Sequence, residues 1–213
     1  MPLNLTRAYS IAATVVLIGG LGAMAYFAFA PQGGDPFEDC RRGQVAGGTA
    51  TIGGPFTLVD GDGATVTDAE AITRPTLVYF GYGFCPDICP TDLARNALAA
   101  DELADRGFAV GQVFITVDPA RDTPEVVKEF SAAIHPDLLG LTGTPEQIAA
   151  AAGAYRVYYR KAGTDPESYL MDHSTFTYLM APGHGLLEFY PSSDTPDQVA
   201  DSAACFTKAL RDS

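Results

Sequence analysis

The chain has 213 residues, 47% of them hydrophobic and 18% charged, with 26 acidic against 13 basic side chains and a formal net charge of −13. This length accommodates one ordinary domain and a short additional segment. Because nucleic-acid backbones are bound by clusters of lysine and arginine, the acidic balance excludes a nucleic-acid-binding protein.

The N-terminal region differs in composition from the rest of the chain. No charged residue lies between Arg7 and Asp35, and residues 9–30 are almost wholly apolar, long enough to cross a bilayer of about 30 Å as a helix. Residues 1–8 carry the preceding positive charge and are predicted to remain in the cytoplasm, with the bulk of the chain outside. The Ala28-Phe29-Ala30 pattern would also suit a cleavable signal peptide. The length of the apolar run and the proline that follows it favour an uncleaved transmembrane anchor.

Residues 31–54 are rich in glycine and polar side chains and are predicted to form a linker to a domain over residues 55–213. Disulfide bonds are permitted in an exported domain. Of the four cysteines, Cys85 and Cys89 form a local pair, which leaves Cys40 in the linker and Cys205 near the C-terminus. We predict a Cys40–Cys205 disulfide that ties the linker to the last helix. The alternative is that these two cysteines are unrelated.

The first half of the domain contains a predicted hairpin and two buried strands. Residues 56–59 and 64–66 alternate in hydrophobicity around an Asp-Gly-Asp-Gly turn, which indicates a hairpin. Residues 76–80 and 110–117 are continuous β-favouring runs, typical of buried strands. Between them the pattern after Pro90 predicts a helix that ends near Gly107, with an apolar face formed by Leu93, Ala97, Leu98 and Leu103.

Three further helices are predicted by a repeated start signal. Threonine, proline and an acidic residue follow one another from Thr123, from Thr144 and from Thr195. Threonine caps the free N–H groups, proline fits the first helical position, and the acid meets the positive end of the helix dipole. Short apolar runs lie at 138–141, 155–159, 176–180 and 186–190, the last two joined by a tight turn. The order of elements predicts an α/β, thioredoxin-like fold, with a mixed central sheet flanked by helices.

The pair Cys85 and Cys89 lies at the predicted junction between the strand at 76–80 and the following helix. Such a pair can form a structural disulfide, act as a redox centre, or share one soft metal ion. At a strand-to-helix junction the helix dipole lowers the pKa of a thiol, and this favours a reactive or metal-binding pair.

A third ligand for a metal is predicted at His173, at the start of a core strand whose preceding loop lies near the cysteines. His135 at a helix end and His184 in a turn are more simply structural. Two thiolates and one imidazole form a soft set that suits Cu(I), whereas structural zinc requires four ligands.

Carboxylates are candidates for supporting roles around this set. Asp87 or Asp172 could complete the site or orient the imidazole. Asp118, at the end of a neighbouring strand, could hydrogen-bond to the site with Arg121 offsetting thiolate charge. A purely structural role at a strand end is the alternative for Asp118.

Three segments resemble the Sco/SenC family of copper-binding, thioredoxin-like assembly proteins. They are Gly81-Tyr82-Gly83-Phe84-Cys85-Pro86-Asp87-Ile88-Cys89-Pro90, Thr116-Val117-Asp118-Pro119-Ala120-Arg121-Asp122-Thr123-Pro124 and Asp172-His173-Ser174. The resemblance implies binding of Cu(I) and Cu(II) by Cys85, Cys89 and His173. It also implies an anchored protein of the bacterial inner membrane whose domain faces the periplasm.

By the same resemblance, the expected function is delivery of copper to the copper-A centre in subunit II of cytochrome c oxidase, with other copper chaperones as further partners. Two alternatives remain open at this stage. Cys85 and Cys89 could be the catalytic thiols of a thiol–disulfide reductase acting on oxidase or other exported cysteines. The chain could also be a copper or redox sensor.

Overall fold

The computed structural model describes residues 19–20, 24, 36–42, 52–165 and 168–212. The chain divides into two compact units, residues 1–38 and 39–213. The predicted anchor at 9–30 lies outside the described residues, except for Gly19, Gly20 and Met24, which are helical and exposed. Within the described part of the chain, no helix has the length and apolar character needed to span a membrane.

Nine strands and five helices are described in the second unit. The strands are β1 (Thr57–Asp60), β2 (Thr65–Thr67), β3 (Thr76–Gly81), β4 (Gly111–Thr116), β5 (Leu138–Thr142), β6 (Tyr159–Ala162), β7 (Leu170–His173), β8 (Thr177–Ala181) and β9 (Gly185–Tyr190). The helices are α1 (Asp68–Ala71), α2 (Ile88–Asp105), α3 (Pro124–Ile134), α4 (Pro145–Ala154) and α5 (Pro196–Asp212), and a short 3-10 helix covers Glu38–Cys40.

Seven strands form one mixed sheet in the order β2-β1-β5-β4-β3-β8-β9. The three central strands, β5, β4 and β3, are parallel, and the remaining neighbours are antiparallel. Every residue of β3 is buried, as expected for a strand covered on both faces. The predicted mixed sheet flanked by helices is therefore confirmed.

The predicted hairpin and the three threonine-proline helix starts are also confirmed. β1 and β2 pair across the Asp-Gly turn, with Leu58 opposite Val66. Helices α3, α4 and α5 begin at the three predicted prolines. Each preceding threonine hydroxyl accepts the backbone N–H of the residue three positions later, as at Thr144, where the distance from the nitrogen of Gln147 is 3.3 Å.

Helix α2 begins before Pro90 rather than after it. Ile88 is the first helical residue, so Pro90 occupies the first turn, where no intrahelical N–H bond is lost. Leu98 was predicted on the buried face but is 59% exposed, because the buried stripe runs through Leu93, Ala97 and Leu103.

The strand predicted at 155–159 is displaced toward the C-terminus. Tyr155 is the C-cap of α4, and the N–H of Val157 donates to the carbonyl of Ala152 at 2.8 Å. This bond, with Arg156 in the left-handed region at φ 54°, closes the helix and uses the residues predicted to be extended. The strand β6 then starts at Tyr159 and pairs with β7 in a two-stranded ribbon separate from the main sheet.

The predicted disulfide between Cys40 and Cys205 is present, with Cα atoms 5.6 Å apart. The same segment is held by Arg41, whose guanidinium donates to the carbonyl of Leu187 at 2.8 Å, and by an ion pair of Arg42 with Asp194 at 2.6 Å. Residues 39–42 of the predicted linker therefore belong to the compact domain.

Candidate metal centre

The structure brings Cys85, Cys89 and His173 together. Cys85 lies in the loop after β3, Cys89 in the first turn of α2, and His173 at the end of β7. One ligand atom from each of the three lies within 4.8 Å of the other two. His173 was predicted to open a core strand, but it ends the ribbon strand β7 instead, and the ribbon rather than the main sheet carries it to the cysteines.

Cys89 is fully buried against the end of β3. A Cβ atom at Gly81 would lie 2.9 Å from the Cys89 sulfur and 2.9 Å from a ring carbon of Tyr79. Since real Cβ contacts are not this short, the glycine is required for the close approach of α2 to the sheet. Cys85 is 8% exposed, so it is the more accessible sulfur of the pair.

The sulfur of Cys85 takes the place of a helix cap. Asp87, at the N-cap position of α2, makes no side-chain cap bond. Instead the backbone N–H of Cys89 donates to the Cys85 sulfur at 3.3 Å. An N–H in the first helical turn has no intrahelical acceptor, so it is free to bind a thiolate.

The two thiols differ in their titration. The pKa of Cys85 is lowered, foremost by a hydrogen bond from the Cys89 thiol and further by the backbone N–H groups of Cys89 and Asp87. The pKa of Cys89 is raised, because the same hydrogen bond favours its protonated form and burial penalises its charge. Cys85 is therefore the thiolate of the pair and Cys89 the thiol.

We expect Cys85 to react first with an alkylating reagent. At a pH of about 6 an ordinary cysteine, with a pKa of about 8.5, is almost fully protonated, whereas the lowered pKa keeps Cys85 ionised. The protein, with its Cys85–Cys89 pair reduced, is treated briefly with iodoacetamide at this pH and then digested for peptide mapping. The label should be found on Cys85. The Cys85→Ser variant should take up little label. Faster labelling of Cys89 in the unaltered protein would contradict the assignment.

The hydrogen bond of His173 sets its tautomer. Nδ1 lies 2.9 Å from the backbone carbonyl oxygen of Ser174. Because a carbonyl can only accept, Nδ1 carries the proton and donates, which leaves the lone pair of a neutral ring on Nε2. Nε2 lies 3.3 Å from the Cys89 sulfur. The rings of Tyr79 and Tyr82 meet the imidazole edge-on, at centroid distances of 6.3 and 5.8 Å, and hold it in place.

The three carboxylates predicted around the site are placed elsewhere. The Asp172 carboxylate, proposed to orient the imidazole, is exposed and pairs with Arg160 at 2.9 Å, because these two residues are opposite one another on the outer face of the ribbon. The Asp87 side chain is exposed, and only its backbone N–H contributes to Cys85. Asp118 accepts from the Tyr169 hydroxyl at 2.7 Å and from Arg121 at 2.6 Å.

Asp122 supports the cysteine loop and was overlooked in the sequence. Its carboxylate is fully buried and accepts the backbone N–H of Gly83 at 2.9 Å and the hydroxyl of Thr116 at 2.5 Å. Burial raises the pKa of this carboxyl. In the sequence, Asp122 directly precedes the helix start at Thr123, and nothing there indicates a longer-range contact. Its contact with a loop 39 positions earlier depends on the pairing of β3 with β4.

The donor set fits a soft, low-coordinate ion. With metal–sulfur bonds of about 2.3 Å, ligand atoms in a trigonal arrangement lie about 4 Å apart. The three atoms here lie within 4.8 Å of one another, so small side-chain movements would bring them to that spacing. Among residues 52–165 and 168–212, no fourth cysteine, histidine or carboxylate joins the group. Two sulfurs and one nitrogen without a fourth ligand suit Cu(I) better than structural zinc.

Comparison of the sequence with known proteins identifies the Sco/SenC family that the motifs resemble. The family model described as SCO1/SenC matches residues 44–208. Protein SenC of Rhodobacter capsulatus is 50% identical over 206 residues, covering 97% of this chain and 93% of that protein.

Two solved structures share the fold. The crystal structure of Arabidopsis thaliana ScoI with copper bound is 42% identical, with a TM-score of 0.70, and covers 76% of this chain and 99% of that one. The structure of Bradyrhizobium japonicum ScoI with copper bound is 39% identical, with a TM-score of 0.65, and covers 71% of this chain and 97% of that one. With its family motifs, its sheet and its cysteine–cysteine–histidine group, this chain belongs to the SCO1/SenC family.

Proposed function

We propose that this protein is a copper chaperone that binds Cu(I) and Cu(II) through Cys85, Cys89 and His173. The observation that carries the proposal is the convergence of two sulfurs and the unprotonated Nε2 within 4.8 Å. Relatives with the same fold have been solved with copper bound, which supports copper as the cargo. The resemblance to the family supports delivery to the copper-A centre in subunit II of cytochrome c oxidase, with other copper chaperones as further partners.

The geometry supports an order of ligand engagement. Cys85 is the more accessible sulfur and is already a thiolate, so it makes the first bond to an incoming ion. Cys89 loses its proton as it binds, because the positive charge of the metal offsets the cost of a buried thiolate. Nε2 of His173 completes the set without having to lose a proton.

We further propose that residues 9–30 anchor the protein in the bacterial inner membrane, with the domain facing the periplasm. The charge-free apolar run and the acidic residues that follow it support this arrangement. The Cys40–Cys205 disulfide is consistent with an oxidising compartment.

A second candidate function is thiol–disulfide reduction, and the inequality of the two thiols favours it. An accessible thiolate followed by a buried thiol is the arrangement of an attacking and a resolving cysteine. The two functions exclude each other at any moment, because a Cys85–Cys89 disulfide removes two of the three ligands.

A Cu(I) competition titration against a chromophoric chelator tests the leading proposal. Protein with a reduced Cys85–Cys89 pair should withdraw one equivalent of Cu(I), and protein with this pair oxidised should withdraw essentially none. If both forms compete equally, the cysteines are not ligands and the proposal fails. If neither form competes while the reduced form cleaves a model disulfide, the reductase function replaces it.

A further inference from the structure

The side chain of Tyr79 packs against the candidate metal centre from within the core. Tyr79 and Gly81 face the same side of β3, because alternate residues of a strand do so. The Cys89 sulfur and the Cε1 atom of Tyr79 each lie 2.9 Å from the position that a Cβ atom on Gly81 would take. Cε1 is bonded to the ring carbon that carries the hydroxyl. The hydroxyl end of the Tyr79 ring therefore lies beside the ligand sulfur.

The Tyr79 hydroxyl is buried without a partner. The side chain is 0% exposed, and within the described part of the chain its hydroxyl makes no hydrogen bond of normal geometry. A buried hydroxyl of this kind has lost its hydrogen bonds to water and gained none in the protein. Such groups are uncommon in folded proteins and call for an explanation in the function of the site.

Two acceptors lie near this hydroxyl. Burial raises the pKa of Tyr79 above its usual range, and the charges of Cys89 and Asp92 raise it further. Asp92 follows Cys89 by three positions, so both face β3 from one side of α2. The Asp92 carboxylate already has partners, since it accepts the Ser192 hydroxyl at 2.7 Å and lies 3.7 Å from the Arg95 guanidinium. The Cys89 sulfur is the neighbour whose capacity to accept depends on whether a metal is bound.

Binding of copper turns the Cys89 sulfur into a strong acceptor. In the metal-free protein Cys89 is a thiol, and the sulfur of a thiol accepts hydrogen bonds only weakly. As a metal ligand Cys89 is a thiolate, and hydrogen bonds to an ionised acceptor are shorter and stronger. The hydrogen bond to Cys85 and burial raise the pKa of Cys89, whereas the backbone N–H of Tyr82 and the Tyr79 hydroxyl oppose this rise. Donors directed at a thiolate have this effect.

We propose that Tyr79 is a positioning residue for bound copper, whose hydroxyl donates a hydrogen bond to the Cys89 sulfur when that sulfur holds the ion. The inference rests on the proposed chaperone function. Tyr79 makes no bond to copper, and its hydroxyl keeps its proton throughout. Loss of the ion leaves the hydroxyl unpaired again, so Tyr79 favours retention of copper until the ligands of a partner replace Cys89.

A hydrogen bond to a ligand sulfur also changes the electronic properties of the bound ion. The donor withdraws electron density from the thiolate, which favours Cu(I) over Cu(II) and raises the energy of the sulfur-to-Cu(II) charge-transfer band. Removing the Tyr79 hydroxyl is therefore expected to weaken Cu(I) binding more than Cu(II) binding. It should also move the charge-transfer band to longer wavelength.

Tyr79→Phe is the test variant, and Tyr155→Phe is its matched control. Each removes a hydroxyl that is buried and unpaired among the described residues, and each keeps the aromatic ring. Tyr155 packs against Phe80 at a ring-centroid distance of 5.1 Å, on the opposite face of β3 from Tyr79. Thermal unfolding of the metal-free protein measures stability, and the chelator titration measures Cu(I) affinity. An absorption spectrum with one equivalent of Cu(II) records the charge-transfer band.

We expect both metal-free variants to be about as stable as the unaltered protein, because each loses only an unpaired hydroxyl. Tyr79→Phe should bind Cu(I) about 10-fold or more weakly, as for the loss of other partners of metal ligands. Its charge-transfer band should lie at longer wavelength than that of the unaltered protein. Tyr155→Phe should match the unaltered protein in both copper measurements.

The possible failures are distinguishable. Unchanged Cu(I) affinity and an unchanged band in Tyr79→Phe overturn this proposal and leave the chaperone function standing. Loss of stability in metal-free Tyr79→Phe alone, with copper binding unchanged, also overturns it and assigns the hydroxyl to Asp92. Equal changes in copper binding in Tyr155→Phe overturn it by showing a general effect of core hydroxyls. Failure of the unaltered protein to bind Cu(I) overturns the chaperone function itself.

Discussion

Replacing His173 with alanine is expected to reduce Cu(I) affinity by more than about 100-fold. Removing a residue that only hydrogen-bonds to a metal ligand already lowers metal affinity about 10- to 100-fold, and loss of the ligand itself should cost more. The variant loses the one nitrogen donor of the group and keeps both sulfurs. A dithiol can still be oxidised and reduced without the imidazole. The same variant is therefore expected to retain most thiol–disulfide exchange, so the two candidate functions separate. Affinity is measured by the chelator titration, and exchange by reduction of a model disulfide.

Two controls distinguish loss of the ligand from loss of packing. His173→Phe keeps an aromatic ring beside Tyr79 and Tyr82 but removes the nitrogen, and it should bind copper as poorly as the alanine variant. His184→Ala changes an exposed histidine in the β8–β9 turn and should bind copper normally. Undiminished Cu(I) affinity in His173→Ala would show that the histidine is not a ligand.

Removing the Cys40–Cys205 disulfide is expected to lower the free energy of unfolding by about 3–5 kcal/mol. The bond closes a loop with a sequence separation of 165 residues, and long loops gain the most from such a constraint on the unfolded chain. The double variant Cys40→Ser with Cys205→Ser, compared with the unaltered protein in urea, measures the difference. The dependence of the free energy of unfolding on urea concentration should also change, because the disulfide keeps the unfolded state of the unaltered protein more compact.

The disulfide variant should leave Cu(I) affinity intact, since none of the three proposed ligands is altered. A double variant containing Arg41→Ala and Arg42→Ala provides a comparison, because it loosens the same segment while keeping the covalent bond. This comparison variant should lose less stability than the disulfide variant. Equal losses in the two would show that the noncovalent contacts of the segment, rather than the crosslink, account for the effect.

Local chemistry made most of the fold predictable. The threonine-proline-acid signals located three helix starts because capping depends on residues within one turn. The ribbon β6–β7 was not recognised, because the apolar run at 155–159 has the composition of a strand. Its conformation is set by the way α4 ends at Arg156, through a backbone bond that composition does not reveal.

The candidate site could be predicted in its ligands but not in its supporting contacts. Cys85, Cys89 and His173 stand out because few residue types bind soft metals. Acidic residues adjacent to a ligand in sequence were poor guides to its neighbours in space. Asp172 points away from the imidazole because alternate residues of a strand face opposite sides, whereas Asp122 reaches the cysteine loop through strand pairing.

Main-chain groups make two of the hydrogen bonds that orient the site. A carbonyl at Ser174 sets the imidazole, and an amide at Cys89 holds the Cys85 sulfur. Neither group depends on the identity of the side chain at its own position. Substitutions at 172, whose carboxylate pairs with Arg160 on the outer face, can therefore remodel the outer surface of the ribbon without misaligning the ligands. The outer face of the ribbon can in this way vary in sequence while the geometry of the ligands is kept.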